Sequence, residues 1–327
     1  MISAIATTVI VPPLLALLVS SAVIAVMIHT RVATFVLDRP NPRSLHATPT
    51  PRLGGIGIVA GTGAAWAWTS LPIDPRLLAA LGLLACISLL DDLKSVSVAW
   101  RLTIHLASAA LATTAVLQGN EPWLLPVAIL ATAWMINLYN FMDGSDGLAG
   151  GMAVIGFGSY GMATLAGGNF ADAATCLSVA AAALGFLLFN FPPAKIFMGD
   201  IGAIPLGCLA AVFDLAGWLR GDWPIWFGIV VFSPFIVDAS YTLLKRLLHG
   251  AKVWQPHREH FYQRLVQSGW GHRKTALAEY ALMLLCSGIA LACLHQGRAL
   301  QLTALSTLAL LYAWLIVVLE RHLDRHA

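Results

Sequence analysis

Carboxylates and amides recur in this chain beside long apolar runs, at spacings that could do chemistry. Asp91 and Asp92 stand together in LLDDLKS, and in NLYNFMDGSDGLAGG the residues Asn137, Asn140, Asp143 and Asp146 follow at intervals of three. Asp200 lies between Gly199 and Gly202 in FNFPPAKIFMGDIGA, and PHREHFYQRL gathers His257, Arg258 and His260. Two adjacent carboxylates can hold a divalent cation or divide base and ligand duties. The amide and acid ladder keeps its members on or near one helix face while the helix lasts. Hydrogen bonding between helices would explain its asparagines but not its two aspartates. The glycines around Asp200 let backbone come close to a ligand. Taken singly, Asp91–Asp92 reads equally as a solvated helix end, Asp200 as a turn residue and His260 as a surface histidine. His105 reads as an ordinary buried group, and so does Asp214 unless it lines a cavity. Together, hard oxygen donors with no Cys or His cluster point to Mg²⁺, with Mn²⁺ able to substitute. Lys94, Arg101, Lys195 and Arg258 could neutralise phosphate beside such an ion, which fits phosphoryl transfer.

The elements that must position these groups are membrane helices. Of 327 residues, 58% are hydrophobic and 11% charged, and the mean hydropathy is +0.78. A soluble domain carries about 25% charged residues, so the composition is that of a polytopic membrane protein. A net charge of +3 gives no footing for nucleic acid. The five cysteines lie in apolar segments without CxxC spacing and read as small buried hydrophobes. No Lys or Arg precedes the first apolar run, so a cleavable signal is not expected.

Apolar segments near 7–29, 54–71, 77–90, 102–118, 123–141, 148–166, 174–191, 204–219, 224–244, 277–295 and 301–319 predict an all-α fold of about eleven transmembrane helices. Alternate connections, plus the tail after 319, hold sixteen of the nineteen Lys and Arg; the other side holds Arg76, Arg220 and Arg298. That bias predicts a periplasmic N-terminus and a cytoplasmic C-terminus. No internal repeat is visible, and residues 1–327 read as one membrane domain. Every polar cluster above falls on the cytoplasmic side, in connections 30–53, 91–101, 137–151, 190–203 and 245–276. A carboxylate drawn to the bilayer centre costs about 2.5–3.5 kcal/mol, so crowding them at one interface predicts one shared site.

Five ordered motifs carry a family resemblance: DRPNPRSLHATPTPRLGG, the DD pair followed by Arg101, NLYNFMDGSDGLAGG, FNFPPAKIFMGDIGA, and VDASYTLLKRLL with PHREHFYQRL. Over roughly Asp38 to Lys274 the chain resembles the polyprenyl-phosphate N-acetylhexosamine-1-phosphate transferase superfamily, glycosyltransferase family 4. The resemblance implies a Mg²⁺-dependent reaction in which a polyprenyl phosphate, here undecaprenyl phosphate, attacks the β-phosphate of a UDP-amino-sugar. It implies that Asp91 deprotonates or positions the lipid phosphate, with Asp92 as its partner. Asn140 and Asp200 match magnesium-side positions, and Asp143 and Asp146 the nucleotide pocket, with Asp146 near uracil. Arg101, Arg258 and His260 match cations around the diphosphate and sugar; Asn137, Lys94 and His257 join the substrate-binding set. The role of HATPTPRLGG stays open.

The attacking phosphate is already an anion near pH 7, because its second pKa is about 6, so positioning and charge neutralisation matter more than a base. Direct attack and a covalent aspartyl-phosphate both remain open. Relatives specific for N-acetylglucosamine tend to carry consecutive histidines in the last long loop, whereas this chain has Tyr262 and Gln263 after His260. It therefore resembles the branch that initiates O-antigen (lipopolysaccharide) synthesis from 6-deoxy amino sugars, with a UDP-N-acetylglucosamine enzyme as the alternative. The expected setting is the bacterial inner membrane, and a homodimer is compatible with it. A transporter of anionic lipid or sugar phosphate is the rival from another class; it would place its site near the midplane and often show repeated halves.

Overall fold

The computed structural model describes residues 2–38, 45–46, 48–69, 73–94, 96–117, 122–252, 255 and 257–323, with side chains from Thr7 onward. Helices carry almost all of it. In chain order they are α1 (Ile2–His29), α2 (Gly55–Thr69), α3 (Pro75–Lys94), α4 (Val98–Leu117), α5 (Leu125–Phe141), α6 (Leu148–Ala166) and α7 (Phe170–Asn190). There follow α8 (Asp200–Arg220), α9 (Trp226–Val231), α10 (Ser233–Leu248), α11 (Phe261–Leu265), α12 (Gly271–Cys293) and α13 (Arg298–Leu323). Each expected apolar segment coincides with one of these helices, except that 224–244 is divided into α9 and α10. The division falls at Phe232, just before Pro234, which opens α10 and has no N–H to continue the preceding turn. Six stretches among the described residues are long and apolar enough to cross a membrane, in a polytopic all-helical protein.

The bundle core is made by α1, α2, α6 and α7 on one side and by α5 and α8 on the other. Small residues let these helices approach closely, the usual solution where lipid removes the hydrophobic drive for helix pairing. A close backbone crossing joins α2 to α8: a Cβ on Gly55 would lie 2.3 Å from the Gly202 amide nitrogen. Fixed contact at that point sets the two helix starts against each other.

The ordered connections at that same end are stitched together. A short antiparallel pair, β1 (Leu37–Asp38) with β2 (Thr50–Pro51), matches Leu37 to Pro51 and Asp38 to Thr50. Beyond β2 the chain bonds to the loop before α8: Phe197 donates to the Pro51 carbonyl (2.7 Å), Gly54 to Phe197 (2.9 Å) and Gly55 to Met198 (2.8 Å). Further out, Glu320 on α13 accepts from Lys245 (2.7 Å) and Arg264 (2.9 Å), joining three elements at the same end.

Candidate active site

Helix α3 runs past its apolar stretch, so Asp91 and Asp92 sit in its last turn. The Asp91 carboxylate accepts the Val96 amide (2.6 Å) and Arg101 from α4 (2.5 Å). Asp92 faces Arg52 instead: an Arg52 terminal nitrogen lies 3.3 Å from its Oδ1 and donates to its backbone carbonyl at 3.2 Å. The other oxygen, Oδ2, is buried without a hydrogen-bond partner among the described residues. Burial pushes the Asp92 carboxyl up to about 7; Arg52 opposes the rise, and Asp200 and Asp91 add to it.

The ladder splits where α5 ends. Asn137, still inside the helix, donates to the Ala133 carbonyl (2.7 Å) and meets His105 Nδ1 (3.2 Å), so it faces the bundle. Asn140 hydrogen-bonds Asp200. Once past Phe141 the chain leaves helical register, and Asp143 turns to the Gly199 amide with Asp200 beside it. Burial and then the Asp200 charge hold the Asp143 carboxyl well above the ordinary carboxylate range, and the Gly199 bond only partly offsets them. Gly199 itself adopts φ 71°, and a Cβ there would lie 2.2 Å from the Arg52 carbonyl oxygen. That positive-φ step lets the chain enter α8 at Asp200, with the Gly202 and Ala203 amides bonded to the Gly199 carbonyl (3.0 and 3.1 Å).

Asp146 anchors a second wall. It accepts His46 Nε2 (2.6 Å) and the Ala194 amide (2.9 Å). Burial alone would raise its carboxyl, yet these two bonds outweigh it and hold the group below the usual value. His46 lies against Phe197 (ring centroids 4.2 Å) on one side and stacks on His272 (4.5 Å) on the other. His272 donates through Nε2 to the Leu45 carbonyl (3.2 Å), leaving Nδ1 to accept from Ser145 (2.9 Å). Ligand atoms of His46, Asp146 and His272 fall within 4.8 Å of one another. Their donors are already engaged with protein and their rings are stacked, so the trio reads as a hydrogen-bonded aromatic wall.

Between these walls lies a cavity of about 280 Å³, with Arg52, Asn140, Asp143, Asp200, His46 and Gln263 in its lining. Asn140, Asp143 and Asp200 offer hard oxygens, and among the described residues no Lys or Arg forms an ion pair with Asp143 or Asp200. Neighbouring half-buried carboxylates without a paired cation are what a divalent ion such as Mg²⁺ neutralises, so the donor set fits it.

The remaining expected residues stand apart from this cavity. Lys94 and Arg258 are exposed, and His257 is half-buried beside His260 on the outer rim of this end, outside the cavity lining, where burial, His260 and Arg246 push it down to about 4. His260 is only 2% exposed and packs behind Phe141 and Tyr262 rather than into the cavity. Its neighbour Asp238 accepts the Phe261 (2.9 Å) and Tyr262 (3.2 Å) amides, capping α11 so that Gln263 faces the cavity. Arg52, His46, Asp238 and His272 thus join the site, although the sequence assigned none of them a role. The first two stood inside the HATPTPRLGG motif and the third inside VDASYTLLKRLL, whereas nothing in the sequence marks His272.

Known proteins resemble the chain over this same ground. Residues 75–217 match the family described as Glycosyl transferase family 4. The chain is 30% identical over 265 residues, 75% of its own length and 74% of the relative's, to the Bacillus subtilis protein named "Probable undecaprenyl-phosphate N-acetylglucosaminyl 1-phosphate transferase". It is 30% identical over 292 residues (74% and 71%) to the decaprenyl-phosphate N-acetylglucosaminephosphotransferase of Mycobacterium tuberculosis. With the undecaprenyl-phosphate alpha-N-acetylglucosaminyl 1-phosphate transferase of Escherichia coli K12 it shares 26% over 306 residues, 83% of each chain.

Proposed function

This chain belongs to the polyprenyl-phosphate N-acetylhexosamine-1-phosphate transferases of glycosyltransferase family 4, and from that premise we propose that it transfers an N-acetylamino-sugar 1-phosphate from a UDP-sugar to undecaprenyl phosphate. An oxygen of the lipid phosphate attacks the β-phosphorus, and the bond from that phosphorus to the bridging oxygen breaks. UMP leaves with the bridging oxygen, and the sugar phosphate stays on the lipid as a diphosphate. The single observation carrying this reading is the pair Asp143–Asp200, with Asn140, set in one cavity beside the Asp146 wall.

Each residue has a task in that cavity. Asn140, Asp143 and Asp200 would hold Mg²⁺, which when bound neutralises diphosphate charge. Phe197 and His46, whose ring Asp146 holds in place from behind, offer a flat face suited to a nucleobase. Asp91, fixed by Arg101 and the Val96 amide, orients the incoming lipid phosphate; Asp92 stands beside it. The loop-bearing end faces the cytoplasm, as the distribution of Lys and Arg supports.

The donor is an N-acetylamino sugar. The names of the similar proteins favour N-acetylglucosamine, whereas Tyr262 and Gln263 in place of imidazoles favour a 6-deoxy amino sugar and an O-antigen role. Purified protein with undecaprenyl phosphate and Mg²⁺ is to be given UDP-N-acetylglucosamine, UDP-N-acetylquinovosamine and UDP-N-acetylfucosamine in turn, and UMP measured. Release with at least one donor is expected, and it should stop on chelation and return with Mg²⁺ or Mn²⁺. Folded protein that releases UMP from none of them would end this reading.

A further inference from the structure

Arg52 occupies a position that no other strong cation shares. Among the described residues it is the one Lys or Arg in the lining of the polar cavity. Arg101 is bound to Asp91, while Lys94 and Arg258 are exposed away from it. The lining is otherwise acidic, with Asp38, Asp143 and Asp200. A diphosphate donor and a phosphate acceptor would add more negative charge to the same space.

The Arg52 backbone is held hard. Its amide donates to the Val36 carbonyl (3.1 Å), and its carbonyl presses on Gly199, the residue before Asp200. The neighbouring Pro51 carbonyl accepts the Phe197 amide (2.7 Å), so Arg52 and Asp200 project from two segments locked in register. The side chain is held loosely by contrast. One terminal nitrogen serves both Asp92 contacts, at 3.2 and 3.3 Å, longer than the roughly 2.7–2.9 Å of a tight charge-assisted bond. Among the described residues, Arg52 Nε is buried with no hydrogen-bond partner, and so is Asp92 Oδ2. A guanidinium offers five donors in a planar fork that matches phosphate, so most of this fork is uncommitted to Asp92.

We propose that Arg52 is a phosphate-binding residue of the transfer site, resting on Asp92 and presenting its fork to phosphoryl oxygens when substrate enters. The inference rests on the transferase reading of the cavity, but anion binding tests it separately. Wild-type, Arg52→Ala, Arg52→Lys and, as a control far from the site, Arg76→Ala proteins are to be compared by calorimetry with inorganic pyrophosphate at fixed Mg²⁺, and by UMP release. Arg52→Ala should weaken pyrophosphate about 100-fold and Arg52→Lys about tenfold, since lysine keeps the charge and loses the fork. The loss in kcat/KM should follow the same order, and Arg76→Ala should match wild type.

Folded Arg52→Ala that binds pyrophosphate within about threefold of wild type would overturn the assignment and leave Arg52 as a mere counter-charge to Asp92. If the alanine variant fails to fold, Arg52→Gln, which keeps a donor for the Asp92 carbonyl, is judged by the same threshold. Wild type that binds pyrophosphate through Arg52 but releases no UMP overturns the transferase reading and leaves the anion site standing. Wild type that binds no pyrophosphate overturns the anion site.

Discussion

Two cavities are built on opposite ends of the same two helices, α5 and α8, and they treat a buried carboxylate differently. The polar one, about 280 Å³, takes Asn140 from the end of α5 and Asp200 from the start of α8. The apolar one, about 370 Å³, takes Leu124 to Met135 around α5 and Ala210 to Trp218 along α8, closed by Phe232 and Ile236. Its one carboxylate, Asp214, accepts Trp223 Nε1 (3.1 Å) and the Gly228 amide (3.0 Å), and Trp223 stacks on Tyr160 (5.1 Å). Those bonds pin the short helix α9 against α8. Among the described residues, Asp143 and Asp200 crowd together with no ion-pair partner, and Asp92 keeps one oxygen unbonded. A carboxylate satisfied by protein donors is structural; carboxylates left facing each other mark where a ligand must supply the charge.

Neutralising one acid at each end should separate the two kinds most strongly. Asp200→Asn and Asp143→Asn are expected to lower UMP release by about 1,000-fold or more, because each removes an oxygen ligand of the Mg²⁺ proposed to neutralise the diphosphate. Asp214→Asn should leave turnover within about threefold and lower stability by about 1–3 kcal/mol, seen in the thermal unfolding midpoint. Cys208→Ala, on α8 between the cavities, should change turnover little. Equal catalytic losses at Asp200 and Asp214 would erase the distinction.

A smaller effect is expected where α8 is set against α2. Gly55→Ala would drive a methyl group into the Gly202 backbone, with contacts of 2.3 and 2.4 Å. Neither partner is a flexible side-chain end, so the helix starts must separate. A stability loss of about 1–3 kcal/mol is expected. UMP release should fall about tenfold or more, because Arg52 and Asp200 lose their register. Gly63→Ala, whose Cβ meets nothing within 4 Å, serves as the neutral comparison. An active, stable Gly55→Ala protein would show that the polar cavity does not depend on this crossing.

The helices were legible because each apolar run ends at a polar connection, and lipid leaves the backbone little choice there but to coil. The break at Phe232 was hidden because α9 and α10 are both apolar, so hydropathy runs through it. In the site, the acids were legible as types out of place in a greasy sequence. Their partners were not. Asp146 meets His46 across 100 residues and Ser145 meets His272 across 127, and no local period encodes such pairings. The ladder shows both sides: its spacing suggested one face, but α5 stops at Phe141, so Asn137 turns to His105 while Asp143 and Asp146 reach two different walls. His260 drew notice as a cation, yet Asp238 holds its loop so that the amide of Gln263 faces the cavity.

Asp238 lies between the two extremes of the comparison, a satisfied carboxylate that serves the polar cavity at second hand. It bonds two α11 amides and the Thr242 hydroxyl (3.1 Å). Asp238→Asn should therefore raise the KM for the sugar nucleotide about tenfold while kcat falls less, since what shifts is the Gln263 wall and not the reacting groups. An equal fall in kcat at unchanged KM would instead put Asp238 with Asp200.

The smallest effect belongs to the rim. His257 is held down to about 4, chiefly by burial and then by His260 and Arg246, against about 6.5 for a free imidazole. The folded chain thus keeps His257 neutral where the unfolded chain already binds a proton. Its contribution is fully present above about pH 6.5 and is lost as pH falls toward 4. His257→Gln removes that liability, so the variant should gain on wild type in thermal midpoint at pH 5 relative to pH 7.5. Turnover at pH 7.5 should stay near the wild-type rate if this ring belongs to the rim and not to the substrate-binding set. A midpoint difference that is the same at both pH values would mean that the imidazole is solvated and the packing around His260 more open than its burial implies.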